Sequence, residues 1–487
     1  MSRHLHALFL CLGLAAGLGA QTLDLQISLA DPSTVVDDDP FGLAVDPDGT
    51  HVYVALAGDF DPNFPSTPST AALFNGMRIA KVDIFTGTVV ATGPTGLFPE
   101  EIALTLDASG NTRHVFVTNS TDGTVSILDS SLNLLLTVPL TPCFGANFGA
   151  VFPFGILASP DGSRVYVGTV GGCGTIDVID SDPVSPTFAQ IVDTFTVSNI
   201  SGRMAWLNWP QMVIAATDFA TLSAGITVVD VTNPSSTVYL PGFSHPGSFG
   251  FGPGASDVAV RPGGTVLLTV SFADVPRLLE MDPLTGSVLQ NLDLSAAASA
   301  NSLHGLGLSA DGRTAVVTVL GGQGEVVFVD VPGGTVIASL PQGTGQPNEA
   351  VFSLDQSRVI VSLQQGEEIR TFRSLPWYGL ELEVDPVTNL GQTLTVALTG
   401  VEFGRPAALY ASLTGPGPQV ISGFTVHLDA PIVLVSQLTG EAAGTSAWQT
   451  PVPSDPALTG VPVWFQAATL DRDGGLRLSN GGGTIFN

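Results

Sequence analysis

The sequence repeats itself, and the repeat limits the fold more than any other feature. Each copy is an apolar strand, a Pro-Asp-Gly-like turn, a strand rich in Val and Tyr, a Gly-rich loop and a strand ending in Asp. The clearest copy is FGILASPDGSRVYVGTVGGCGTIDVID, from Phe154 to Asp180. FGLAVDPDGTHVYVA begins at Phe41, IALTLDASGNTRHVFVTNSTDGTVSILD runs from Ile102 to Asp129, and LGLSADGRTAVVTVLGGQGEVVFVD runs from Leu306 to Asp330. Weaker copies run from Trp206 to Asp230, from Val258 to Asp282 and from Ala350 to Phe372. The residues closing the first strand of each copy are Asp46, Asp107, Ser159, Asn208, Arg261, Ser309 and Ser353, spaced 44 to 61 residues apart. A period of that size, cut by turns, is one small antiparallel sheet per copy.

Seven such copies predict an all-β chain whose sheets close into a seven-bladed β-propeller. Alternating Val and Tyr in HVYVA and RVYVG suit a pleated strand packed on both faces. The first strands carry a large row (Leu43/Val45, Leu104/Leu106, Leu306/Leu308) and a small row (Gly42/Ala44, Gly305/Gly307). Large side chains of one blade can then seat against the small row of its neighbour. The last copy stops after its third strand, near Pro376. The isolated segment TLDLQISL, Thr22 to Leu29, is expected to supply the missing outer strand and so remove an open edge. The VYV and GTIDVID segments, Val165 to Asp180, resemble the YVTN family of seven-bladed propellers. The resemblance spans residues 22–376 and implies the fold; propellers host many unrelated activities.

The repeat is lost after Pro376. LELEVD, QTLTVAL, AALYASL, IVLVSQL, SAWQTPV, VPVWFQAATLD and LRLSN are strand-like segments separated by Gly and Pro turns. They predict a small C-terminal β-sandwich over residues 377–487. TSAWQTPVPSDPALTGVPVWFQAATLDRDGGLRLSNG resembles a C-terminal module of secreted proteins from environmental bacteria, which implies an accessory role.

Residues 1–20 read as a signal peptide, with Arg3 before an apolar stretch from Leu5 to Leu18 and small residues at Gly17, Gly19 and Ala20. The expected location is secreted, periplasmic or cell-surface. No later apolar run is long enough to span a bilayer as a helix. The net charge is −28, from 43 acidic and 15 basic residues. That balance opposes nucleic acid, whose phosphates need Lys and Arg; it fits a solvated, repulsive surface or carboxylates that hold cations. Outside the signal, Cys143 and Cys173 remain, in two loops of the third copy that open on one face. They read as a disulfide or as two buried thiols.

Three groups of polar residues are candidate sites. Asp59, Asp61 and Asn63, in the acidic insertion of the first copy, have the alternate spacing of calcium ligands. Phe64 stands where a calcium loop needs Gly, so a solvated capped turn is the other reading. At the starts of first strands, Glu100, Glu101, Arg203, Asp257, His304, Asn348 and Glu349 should surround the central channel mouth. They could bind a ligand, hold a metal or act as acid and base; equally, they could line a hydrated channel. His245, Asp471 and Asp473 read as loop and turn residues. No GxSxG, HExxH, P-loop or CxxCH motif occurs.

Two functions follow as expectations. One is an extracellular, non-enzymatic binding or scaffolding protein that presents a propeller face to a protein, glycan or small ligand. The other is a metal-assisted hydrolase of lactonase type, acting at the channel mouth.

Overall fold

The computed structural model describes residues 23–30, 38–58, 76–142, 152–170, 174–197, 202–218, 220–244, 254–373, 381–384, 387–399, 406–413, 419–421, 424–426, 433–439, 445–470, 476–479 and 482–487. Residues 1–20, read above as a signal peptide, and Asp59, Asp61, Asn63, Cys143, Cys173, His245, Asp471 and Asp473 lie outside them. The chain divides into two units: Leu23–Phe352 with Val359–Phe372, and Ser353–Arg358 with Arg373–Asn487. Among the described residues, no helix is long and apolar enough to cross a membrane.

The repeats form seven four-stranded antiparallel sheets. Sheet 1 comprises Pro40–Val45, His51–Leu56, Arg78–Asp83 and Thr88–Pro94. Sheet 2 comprises Pro99–Leu106, Thr112–Asn119, Thr124–Asp129 and Leu134–Pro139, and sheet 3 Phe152–Ala158, Arg164–Val170, Thr175–Asp180 and Ile191–Thr196. Sheet 4 comprises Met204–Asn208, Gln211–Asp218, Ser223–Asp230 and Val238–Ser244, and sheet 5 Gly254–Val260, Val266–Ser271, Arg277–Met281 and Val288–Asp293. Sheet 6 comprises Leu303–Leu308, Thr314–Val319, Glu325–Asp330 and Thr335–Pro341. Sheet 7 takes Pro347–Phe352, Arg358–Leu363 and Glu368–Arg373 from the end of the array and its fourth strand, Leu23–Ser28, from the beginning.

The turn between first and second strands explains the Ser-x-Asp spacing of three copies. In sheet 3, Asp161 accepts bonds from the Ser159 hydroxyl and the Ser163 amide, while the Ser159 hydroxyl accepts the Arg164 amide. Asp311 with Ser309 repeats this in sheet 6, and Asp355 with Ser353 repeats it at the corresponding turn before Arg358. Gly162 and Gly312 follow the Asp at φ 66° and 68°, where a side chain would be strained.

Alternation along the second strands places one row on each neighbouring sheet. Val52 and Val54 pack with Ile360 and Ile369 of sheet 7, whereas Tyr53 and Ala55 pack with Ile102, Val115 and Val117 of sheet 2. The same two-sided packing joins sheets 2 and 3, 3 and 4, 4 and 5, and 5 and 6; Phe328 and Phe372 meet between sheets 6 and 7. The first strands contact one another in chain order, and that of sheet 7 contacts that of sheet 1. The small row permits this approach. A Cβ on Gly42 would overlap the Glu100 carbonyl oxygen, whereas one on Gly263 would meet nothing within 4 Å. Gly42→Ala is therefore expected to cost about 1–3 kcal/mol in thermal unfolding, and Gly263→Ala to stay within about 0.5 kcal/mol of the parent.

In the second unit, a three-stranded sheet (Glu381–Val384, Thr393–Thr399, Thr445–Pro451) is accompanied by a larger sheet that includes Pro406–Ser412, Val433–Thr439, Pro462–Leu470 and Gly482–Phe486. Leu382, Val396 and Leu398 of the first share one apolar cluster with Leu409, Phe465 and Ala467 of the second.

Candidate functional site

Six of the seven first strands, all but that of sheet 4, carry a β-bulge near their starts. In sheet 2 the register passes from Pro99↔Asn119 to Ile102↔Val117, in sheet 5 from Ala255↔Val270 to Val258↔Leu268, and in sheet 7 from Pro347↔Leu363 to Ala350↔Val361. One extra residue on the first strand loses its ladder partner and is re-aimed. The residue before the register resumes is Glu101, Asp257 or Glu349. Its freed amide donates to a hydroxyl on the second strand: Glu101 to Thr118, Asp257 to Thr269 and Glu349 to Ser362, each at 3.0 Å. Sheet 6 does the same from Gly305 to Thr318 at 2.7 Å. Two of these hydroxyls donate onward to the next sheet, Thr318 to the Asn348 carbonyl at 2.7 Å and Ser362 to the Phe41 carbonyl at 2.6 Å. This recurrent Thr or Ser was readable in the repeats as VT, LT, VT and VS, and the sequence reading did not use it.

The bulges deliver side chains from separate sheets to one point. Arg203, just before sheet 4, donates from Nε to Glu101 at 2.7 Å and from Nη1 to Asp257 at 2.8 Å. Its Nη2 is ion-paired with Glu101 Oε1 at 2.6 Å and lies 3.6 Å from Glu349 Oε2. Asp257 also accepts the amides of Val258 and Leu306, each at 2.7 Å, and Glu349 accepts that of Leu43. Arg203, Glu101, Asp257 and Glu349 are all buried, at 7%, 6%, 4% and 8% exposure. One guanidinium gathers three carboxyl groups from other sheets into a buried ion cluster.

Burial holds these carboxyl groups up. Glu349 lies well above the usual carboxylate range, and Glu101 and Asp257 are raised, all against the opposing pull of Arg203. Glu100 is also pushed well above that range by burial; it bonds to the Ser120 hydroxyl rather than to Arg203. His304 stands edge-on to Phe41 and near Phe154, with ring centroids 5.4 and 6.2 Å away. Burial first and Arg203 second lower its pKa to about 3, so the imidazole is uncharged at neutral pH. Asn348 is fully buried; its backbone carbonyl accepts from Thr318, and its side-chain amide makes no hydrogen bond. Of the five residues expected to bind ligand, Arg203, Asp257 and Glu349 meet directly, His304 packs among aromatic rings, and Asn348 serves the backbone.

A cavity of about 280 Å³ is lined by all four members of the ion cluster together with Leu43, Ile102, Ile156, Leu306 and Phe352, and its surface is mostly polar. Among the described residues, a different group, Asp46, Asp48 and His51, has carboxylate and imidazole atoms within 4.8 Å of one another. Its acceptors are already engaged by Lys81, Thr112, Thr50 and His51, as a turn and strand clasp. Comparison with protein-family models gives no match for the chain, and comparison with curated proteins gives none.

Proposed function

We propose that this chain is an exported, non-enzymatic binding protein whose seven sheets form a YVTN-type seven-bladed propeller with a small-ligand site at its centre. In this reading residues 1–20 direct export, Leu23–Ser28 closes the ring, Cys143 and Cys173 form a disulfide, and the C-terminal sheets form an accessory sandwich. The order of first-strand contacts, with sheet 7 returning to sheet 1, supports the ring.

One observation carries the functional reading. Four titratable side chains from different repeats converge on one cavity whose surface is mostly polar. Polar groups that converge in a concavity are what fix the orientation of a small ligand. The ion cluster is a poor hydrolytic centre as it stands. Arg203 and backbone amides occupy carboxylate oxygens that a metal would need, and His304 is held among aromatic rings.

The test is a thermal-shift and calorimetric screen of small ligands on the purified mature chain, run beside a lactone-hydrolysis assay and metal analysis. The expected result is saturable binding without turnover, weakened by filling the cavity through Ile156→Phe. Bound metal with lactone turnover lost in Asp257→Ala would replace this reading with the hydrolase.

A further inference from the structure

We infer that the central cavity takes a small, polar ammonium ion whose N–H groups donate to the open carboxyl oxygens of Glu349 and Glu101. The inference rests on the binding reading above and names its ligand class.

Donors and acceptors around the cavity are out of balance. Arg203 is the one basic side chain lining it, against Glu101, Asp257 and Glu349. Arg203 Nε and Nη2 both reach Glu101 Oε1, at 2.7 and 2.6 Å, and Nη1 reaches Asp257 Oδ2 at 2.8 Å. Backbone amides take the rest of Asp257, Val258 donating to Oδ1 and Leu306 to Oδ2. Glu349 Oε2 accepts the Leu43 amide. Glu101 Oε2 and Glu349 Oε1 receive no hydrogen bond from the described residues. Both belong to residues more than nine-tenths buried that line the cavity, where an acceptor left without a donor is costly. A ligand in the cavity is placed to supply those donors.

Charge selects a cation. Three carboxyl groups share one guanidinium, so an anion is repelled and a second positive charge is attracted. Burial raises Glu349, Glu101 and Asp257, and Arg203 opposes it; a second cation opposes it in the same sense and favours the ionised carboxylates. Of the neighbouring titratable groups, His304 is uncharged at neutral pH and Glu100 bonds to Ser120, so neither supplies that charge.

Geometry selects an ammonium over a metal. Among the described residues, only Asp46, Asp48 and His51 bring three such ligand atoms within 4.8 Å of one another. Glu101, Asp257 and Glu349 are instead spread around Arg203, and they do not close on an ion-sized centre. A metal ion needs converging oxygens at about 2.0–2.6 Å, whereas an ammonium has three donors that point apart and can serve separated acceptors. The cavity, about 280 Å³ with a mostly polar surface, has room beyond the charged end for a short polar chain.

Isothermal titration of the full mature chain with 4-hydroxybutylammonium, 1,4-butanediol and 4-hydroxybutanoate tests this. The ammonium is expected to bind at least about tenfold more tightly than the diol or the anion. Its affinity should rise from pH 5 to pH 8, because carboxyl groups raised by burial ionise more fully over that range while an alkylammonium stays protonated to about pH 10. Glu349→Gln should weaken the ammonium by about tenfold and leave the diol within about threefold. Circular dichroism checks that the variant folds, and Ile156→Phe provides an independent block of the cavity should it not. Equal or tighter binding of the diol or the anion, displacement of the ammonium by an equal concentration of calcium, an affinity no greater at pH 8 than at pH 5, or an unchanged affinity in folded Glu349→Gln overturns the ammonium assignment and leaves cavity binding standing. Absence of binding by all three organic probes to the folded parent overturns both.

Discussion

Arg203→Met is expected to destabilise the fold by about 3–5 kcal/mol, the usual cost of removing one partner from a buried ion cluster. Glu101, Asp257 and Glu349 would stay buried with no cation among them. The loss should depend on pH in a defined direction. These carboxyl groups already titrate above their ordinary range in the folded protein, and losing Arg203 raises them further. A raised folded-state pKa contributes stability that is present below the unfolded value and lost as pH rises through the folded one. The difference between variant and parent should therefore be smallest near pH 4.5 and grow toward pH 8. Denaturant unfolding at both pH values measures it. A loss equal at the two would mean that Arg203 acts through packing rather than charge.

Deleting residues 23–28 is expected to have the second large effect. Ile27 is buried among Val52, Val54 and Ile369, and its strand supplies the ladder partner of Glu368–Arg373. Side chains of this kind contribute about 1.5–3 kcal/mol each, so with the ladder bonds a total near 3–6 kcal/mol is expected. The deletion also bares the edge of Glu368–Arg373, which invites pairing with another chain. Thermal unfolding should show the loss, and light scattering should show new association. Unchanged melting with a monodisperse chain would remove Leu23–Ser28 from the stabilising structure.

The three strands of each repeat were legible because their residues are under strong local demand. Turn residues such as Asp161-Gly162 must satisfy the hairpin, and Val165, Tyr166 and Val167 must pack on both faces. The fourth strands were harder to see. Leu134, Leu135 and Leu136 are all exposed, so no burial period marks that strand from its own sequence. The site was half legible. Strand starts bearing Glu101, Arg203, Asp257 and Glu349 stood out as polar, but which of them would touch depends on contacts between sheets far apart in sequence. Arg203 reaches a carboxylate 102 residues earlier; no spacing rule spans that distance. The β-bulges that aim these side chains left one trace, the hydroxyl residues Thr118, Thr269, Thr318 and Ser362.

The central claim is that sheets distant in sequence meet at Arg203. A double-mutant cycle between Arg203→Met and Glu101→Leu in denaturant unfolding tests it most directly. Direct contact predicts a coupling energy of about 1.5 kcal/mol or more, whereas single-mutant effects that add to within about 0.5 kcal/mol would contradict it.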